Sequence, residues 1–235
     1  MEPQIIPAII PENFEHMKRE LNLVKDFVPR VQIDITDGIF APTNTWPFNE
    51  GDSYFEKILK QEEGMPFWKD LNFEMDLMIQ NPEKTIDKWV NMGASALVIH
   101  IESTNEIEKI IEKIKNMDIV TGISLNPSTP NEKLYSVLDR VDFVQFMGNN
   151  KIGYHGIKLD KKVYEKIKNL RNKNSKIPIA VDIGVNEETI PSLVKAGATK
   201  LVSGSTIFNS DNIKEKIEEL KNLANKNTLG NRAPK

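Results

Sequence analysis

Asp34 and Asp182 are the residues of this chain best suited to proton chemistry. Each closes an apolar run, Arg30-Val31-Gln32-Ile33-Asp34 and Ile177-Pro178-Ile179-Ala180-Val181-Asp182, and each is followed at once by turn residues. A carboxylate placed where a buried strand opens into a loop is costly unless it is paired, hydrogen-bonded or bound to a metal. Two of them, on strands far apart in sequence, point to one shared polar pocket. Facing each other across a substrate, they would form an acid/base pair.

The elements that must position them follow from the pattern of the whole chain. Strands are predicted at 4–10, 30–34, 71–78, 96–101, 119–125, 142–147, 177–182 and 200–203, all short, β-branched and bounded by turn residues. Between them lie helical patterns, clearest at 105–117, where Ile107, Ile110, Ile111 and Ile114 share a face, and also at 186–196 and 212–223. Strands that alternate with helices pair in parallel, because each crossover needs a helix. Apolar runs without strict alternation fit strands buried on both faces. This repetition within 235 residues predicts a single-domain α/β protein with the (β/α)8 TIM barrel fold over residues 1–224. The polar stretch 225–235 reads as a disordered C-terminal tail. The segment from Thr36 to Lys60 is long for a βα loop, and its Trp46, Pro47 and Phe48 are expected to fold over the mouth of the barrel.

Composition excludes several functions. The net charge is -3 and the pI about 5.8, so nothing favours nucleic acid or an anionic membrane. The absence of cysteine removes disulfides and thiolate metal sites. With no leader pattern and no apolar run long enough to span a bilayer, a cytoplasmic protein is expected.

Active groups of such a barrel sit at the C-terminal ends of its strands. Those ends bring a third carboxylate, Asp76, together with Gln32, Met78, His100, Glu102, Asn126 and Met147. The stretch Val202-Ser203-Gly204-Ser205-Thr206 ends the last strand. Free backbone N–H groups at Gly204 and Ser205 would suit a phosphate, and Gly184 could complete that site.

These residues, in this order, resemble the ribulose-phosphate 3-epimerase family. The resemblance runs from about Ile5 to Phe208. It rests on Asp34-Ile35-Thr36-Asp37-Gly38, Asp76-Leu77-Met78, Asn81-Pro82, His100-Ile101-Glu102, Leu125-Asn126-Pro127-Ser128-Thr129-Pro130, Val181-Asp182-Ile183-Gly184 and Gly204-Ser205-Thr206-Ile207-Phe208. It implies a ketose-phosphate epimerase of the pentose phosphate pathway, most simply converting D-ribulose 5-phosphate to D-xylulose 5-phosphate. Asp34 and Asp182 match the family's two proton-transferring aspartates. The resemblance also implies a divalent metal held by both aspartates and two histidines, a small phosphorylated sugar as partner, phosphate contacts from Gly153 and Gly156 with Met147 nearby, and a possible homo-oligomer.

The departures are as informative. Gln32 and Asp76 stand where the family has its histidine ligands, Pro11 where a serine is usual, and Ile183 where the first glycine of a pair is usual. A site of Asp34, Asp76, Asp182 and the Gln32 carbonyl would be all oxygen and favours Mg²⁺ or Mn²⁺ over Zn²⁺. Without a metal, at least one of the three carboxylates should keep its proton near neutral pH. The Ile183 side chain should weaken or shift phosphate binding, with Lys151 and His155 placed to compensate.

Blander readings exist for each residue. Asp34 and Asp182 could simply form turns, although their matching contexts favour chemistry. Asp76 could be a ligand or a third acid. Asp37 reads as a turn former and His100 as a hydrogen-bonded core histidine in support. Two competing functions are a related epimerase acting on another phosphorylated sugar, favoured by the altered loop, and a non-catalytic sugar-phosphate binder, favoured by loss of both histidines.

Overall fold

Every crossover in this chain returns to one side of a parallel sheet, and after eight strands the sheet meets itself. The structure, a computed structural model, describes residues 2–49 and 53–229. The strands are β1 (Gln4–Ile9), β2 (Arg30–Thr36), β3 (Asn72–Met78), β4 (Ala94–His100), β5 (Val120–Leu125), β6 (Phe143–Met147), β7 (Ile179–Asp182) and β8 (Lys200–Ser203). Each pairs in parallel with its sequence neighbours, and β1 pairs with β8, so the barrel is closed. The outer layer comprises α1 (Phe14–Val24), α2 (Tyr54–Leu59), α3 (Ile86–Asn91), α4 (Ile107–Lys115), α5 (Lys162–Lys173), α6 (Ile190–Ala196), the short α7 (Ser205–Phe208) and α8 (Ile213–Leu229). Between β5 and β6 the crossover is made of two 3₁₀ turns, at Asn131–Leu134 and Leu138–Arg140.

The main core lies between strands and helices. On α4, Ile110, Ile111 and Ile114 are buried, as the spacing requires, and Asn13 caps α1 by accepting the His16 N–H at 2.8 Å. The barrel interior is polar at both ends. At the N-terminal end, Lys200 Nζ donates to Glu74 Oε2 at 2.6 Å, Arg30 reaches the same oxygen at 3.3 Å, and Lys200 lies 3.4 Å from the Phe143 ring centroid. These side chains fill the floor, and a buried carboxylate this deep is tolerable because two cations hold it.

Two expectations change. Trp46 does not cover the barrel mouth. It is fully buried against Phe14 and Phe55, and its backbone N–H donates to the Pro11 carbonyl at 2.8 Å. An indole of that size gains more from the layer between α1 and α2 than from an exposed lid. Residues 50–52 of that segment lie outside the described residues. The last helix runs on to Leu229, so 225–229 of the expected tail are helical, and 230–235 lie outside the described residues. Among the described residues, no helix is long and apolar enough to cross a membrane.

Candidate active site

Strand register assembles the site. Asp34 on β2 stands opposite Asp76 on β3, and Met147 on β6 opposite Asp182 on β7. Asp34, Asp76 and Asp182 are buried, and one carboxylate oxygen from each lies within 4.8 Å of the others. That is the trio expected from the strand ends.

Each carboxylate is held by specific donors. Gln32 Nε2 donates to Asp34 Oδ1 at 2.8 Å and to Asp182 Oδ2 at 3.2 Å. The Ile183 N–H donates to Asp182 Oδ1 at 2.7 Å. Asp76 has its own partners: His100 Nε2 lies 3.0 Å from its Oδ1, and Gln145 Nε2 donates to its Oδ2 at 3.0 Å. The expectation for Gln32 is altered here, because the amide nitrogen rather than the carbonyl oxygen faces the aspartates. Gln32 Oε1 is buried with no partner among the described residues.

Burial and mutual repulsion set the charge state. Burial pushes the Asp34 carboxyl well above the usual carboxylate range, and Asp182 and Asp76 add to it against the Gln32 hydrogen bond. Burial and Asp76 push Asp182 up to about 7, against the bonds from Ile183 and Gln32. Burial disfavours the cation of His100, but the Asp76 carboxylate outweighs it and leaves the imidazole above its ordinary pKa. At neutral pH this group therefore keeps a shared proton among its acids unless a cation neutralises them. The donor set suits such a cation. Three carboxylate oxygens converge, which is hard-oxygen chemistry, and the unpartnered Gln32 oxygen joins them only when its amide turns over.

Above the carboxylates lies a cavity of about 290 Å³. Asp34 and Asp182 line it, together with Met78, Met147, Gly153, Gly156, Gly184, Gly204 and Ser205. The expected phosphate-contacting residues Gly153, Gly156, Gly184, Gly204 and Ser205 are therefore gathered around one space. Glycine is required at Gly184, where φ is 73° and a Cβ would sit 2.5 Å from the Leu159 backbone nitrogen. It is required at Gly204 because a Cβ there would sit 2.9 Å from the Ala8 carbonyl oxygen. At the start of α7 the Ile207 and Phe208 amides bond the Gly204 carbonyl, and the Ser205 and Thr206 amides precede the first of these bonds. His155 lines the cavity but Lys151 does not, and Lys158, Asn186 and Thr206, which the strand ends do not indicate, also line it. Asp37 is the loop organiser its Asp-Gly context suggests: it accepts the N–H groups of Ile39 and Phe40, and its other oxygen takes the Gln80 N–H at 2.8 Å.

Ile183 adopts φ of 74°, a left-handed conformation that crowds a β-branched side chain. The side chain packs with Phe40 against Ala41, Met78, Met147 and Ile152. Relief of the backbone and loss of this packing act in opposite directions. Ile183→Gly is therefore expected to change stability by less than about 1 kcal/mol. The same exchange at a buried strand isoleucine costs about 3 kcal/mol or more. Urea unfolding would check this, and a loss at position 183 as large as the strand value would refute the opposing backbone contribution.

Comparison with known proteins gives a consistent result. The profile of the Ribulose-phosphate 3 epimerase family matches residues 4–208. The chain is similar to the ribulose-phosphate 3-epimerase of Bacillus subtilis (strain 168), 31% identical over 224 residues that cover 93% of this chain and 98% of that protein. It is likewise similar to that of Aquifex aeolicus (strain VF5), 31% identical over 194 residues, covering 81% and 82%. Among solved structures, 3-hexulose-6-phosphate synthase from Salmonella typhimurium superposes with a TM-score of 0.71 at 13% identity, covering 95% of this chain and 99% of that one. That likeness speaks for the barrel fold alone.

Proposed function

The chain belongs to the ribulose-phosphate 3-epimerase family, and from that membership we propose that it inverts C3 of D-ribulose 5-phosphate to give D-xylulose 5-phosphate, with Asp34 and Asp182 exchanging the protons. The observation that carries this reading is the convergence of both carboxylates on one cavity, coupled through a single Gln32 amide.

The hydrogen at C3 lies beside the C2 ketone, so its removal leaves an enediolate. One aspartate takes that proton from one face. The other, holding a proton because its pKa is raised, delivers it to the opposite face. The reverse reaction exchanges the two roles, which suits a pair whose acidities are both elevated. With no cation bound, Gln32 donates to one oxygen of each carboxylate. Met78, Met147 and Phe40 supply apolar surface beside the carboxylates, which limits the dielectric there. Gly184, Gly204, Ser205 and the 153–156 loop are the proposed phosphate seat, with Ile183 narrowing it on the β7 side.

A divalent cation fits the site, held by Asp34, Asp76 and Asp182 with the Gln32 carbonyl after rotation of its amide. The all-oxygen set favours Mg²⁺ or Mn²⁺. Such an ion, when bound, supplies charge stabilisation to the enediolate oxygens.

Proton exchange tests the proposal. With ribulose 5-phosphate in D₂O and added Mn²⁺ or Mg²⁺, NMR should show deuterium at C3 together with xylulose 5-phosphate. No exchange with any metal would overturn the assignment of this substrate.

A further inference from the structure

Asp76 is fully buried, and neither of its oxygens is held from its own strand or from β2. The donors come from β4 and β6. Strand register aligns His100 with Ser124 and Ser124 with Gln145, so these three form one lateral row across β4, β5 and β6. All three are buried with no exposed surface. His100 Nε2 and Gln145 Nε2 grip the two oxygens of Asp76 separately, 3.0 Å each. The Phe40 ring lies edge-on to His100 with centroids 5.3 Å apart, which limits rotation of the imidazole. Gln145 is moreover the one polar residue in the run Phe143-Val144-Gln145-Phe146-Met147.

We propose that His100 and Gln145 are positioning residues that fix the carboxylate of Asp76 so that it joins Asp34 and Asp182 around a divalent cation. This rests on the metal-centre reading given above. An aspartate side chain is short and turns about two bonds. Gripped at both oxygens from two other strands, it has one orientation and still carries a lone pair on each oxygen for a cation. Groups that hold a metal ligand in this way contribute about 10–100-fold to metal affinity. A merely structural grip would protect the buried charge without altering the affinity of the folded protein for the ion.

The experiment is Mn²⁺ binding at pH 7.5, followed by electron paramagnetic resonance of the free ion, on the intact protein and on Gln145→Met, His100→Phe and His100→Gln. Thermal unfolding confirms which proteins are folded at the assay temperature. Gln145→Met and His100→Phe should each weaken Mn²⁺ binding about 10–100-fold. His100→Gln, which keeps a donor, should recover part of the loss. If the intact protein binds Mn²⁺ and the folded variants bind it within twofold as tightly, the positioning role is overturned and the metal reading stands. If the intact protein binds no Mn²⁺ at millimolar concentration, the metal reading falls and the positioning role with it. Should Gln145→Met fail to fold, the contrast between His100→Phe and His100→Gln decides the matter.

Discussion

Replacing either Asp34 or Asp182 by asparagine is expected to lower turnover of ribulose 5-phosphate by about 10³-fold or more, near the upper range for loss of a positioned acid or base. Asparagine matches aspartate in shape, so the cavity survives, but it neither accepts the C3 proton nor returns one. The variants should also unfold less readily than the parent at pH 8 in the absence of metal. Burial and like charge disfavour both ionised carboxyls in the folded protein, and a neutral amide removes that cost. Lost activity with gained stability is the signature of a group kept for chemistry. It is checked by coupling product formation to a second enzyme and by urea unfolding on the same preparations. A variant that retained a tenth of the parent's turnover would remove that aspartate from the proton path.

A divalent cation is expected to raise the unfolding temperature, and to raise it more at pH 8 than at pH 5. The folded carboxyl of Asp182 has its pKa pushed up to about 7, and the unfolded one titrates near 3.9. Between those values the native protein holds a proton that the unfolded chain has released, so unfolding releases protons and stability falls as pH rises through the window. Asp34 shifts in the same direction. A cation replaces the missing protons at high pH but must displace them at low pH. With Mn²⁺ at about 100 times its dissociation constant at pH 8, binding contributes about 2.7 kcal/mol. For a domain of this size that corresponds to roughly 5–10 °C. Calorimetry at both pH values decides it. An equal shift at both would show that the ion binds away from these acids.

The strands were legible because each is a short β-branched run closed by turn residues. The observed β8 matches its predicted span, and the others differ by at most two residues at either end. Asp34 and Asp182 are legible for a related reason: a carboxylate that closes an apolar run demands a partner, whereas Asp76 lies two residues inside the end of β3 and is legible only as part of the C-terminal rim. What escaped was the identity of the partners. Gln145 carries a signal, a polar residue inside an apolar strand, but its counterpart Asp76 is 69 residues away and only barrel closure shows which acid it serves. His100 reads as a supporting histidine, and its distance to Asp76 gives that support a target. The burial of Trp46 is not legible, because a long loop shows no periodicity from which to read its buried side. The end of α8 is not legible either, since the polar residues 225–228 continue the helix without the apolar face that marks one in sequence.

The packed floor of Glu74, Arg30, Lys200 and Phe143 makes the barrel a blind alley. The cavity lined by Asp34 and Asp182 opens among the loops of the opposite end, so a sugar that enters there leaves by the same end. Substrate and product therefore queue at one doorway, and each turnover must vacate it before the next begins. Solvent protons share that doorway. How often recovered substrate carries deuterium, relative to product, would thus report how long the sugar stays before it leaves by that doorway.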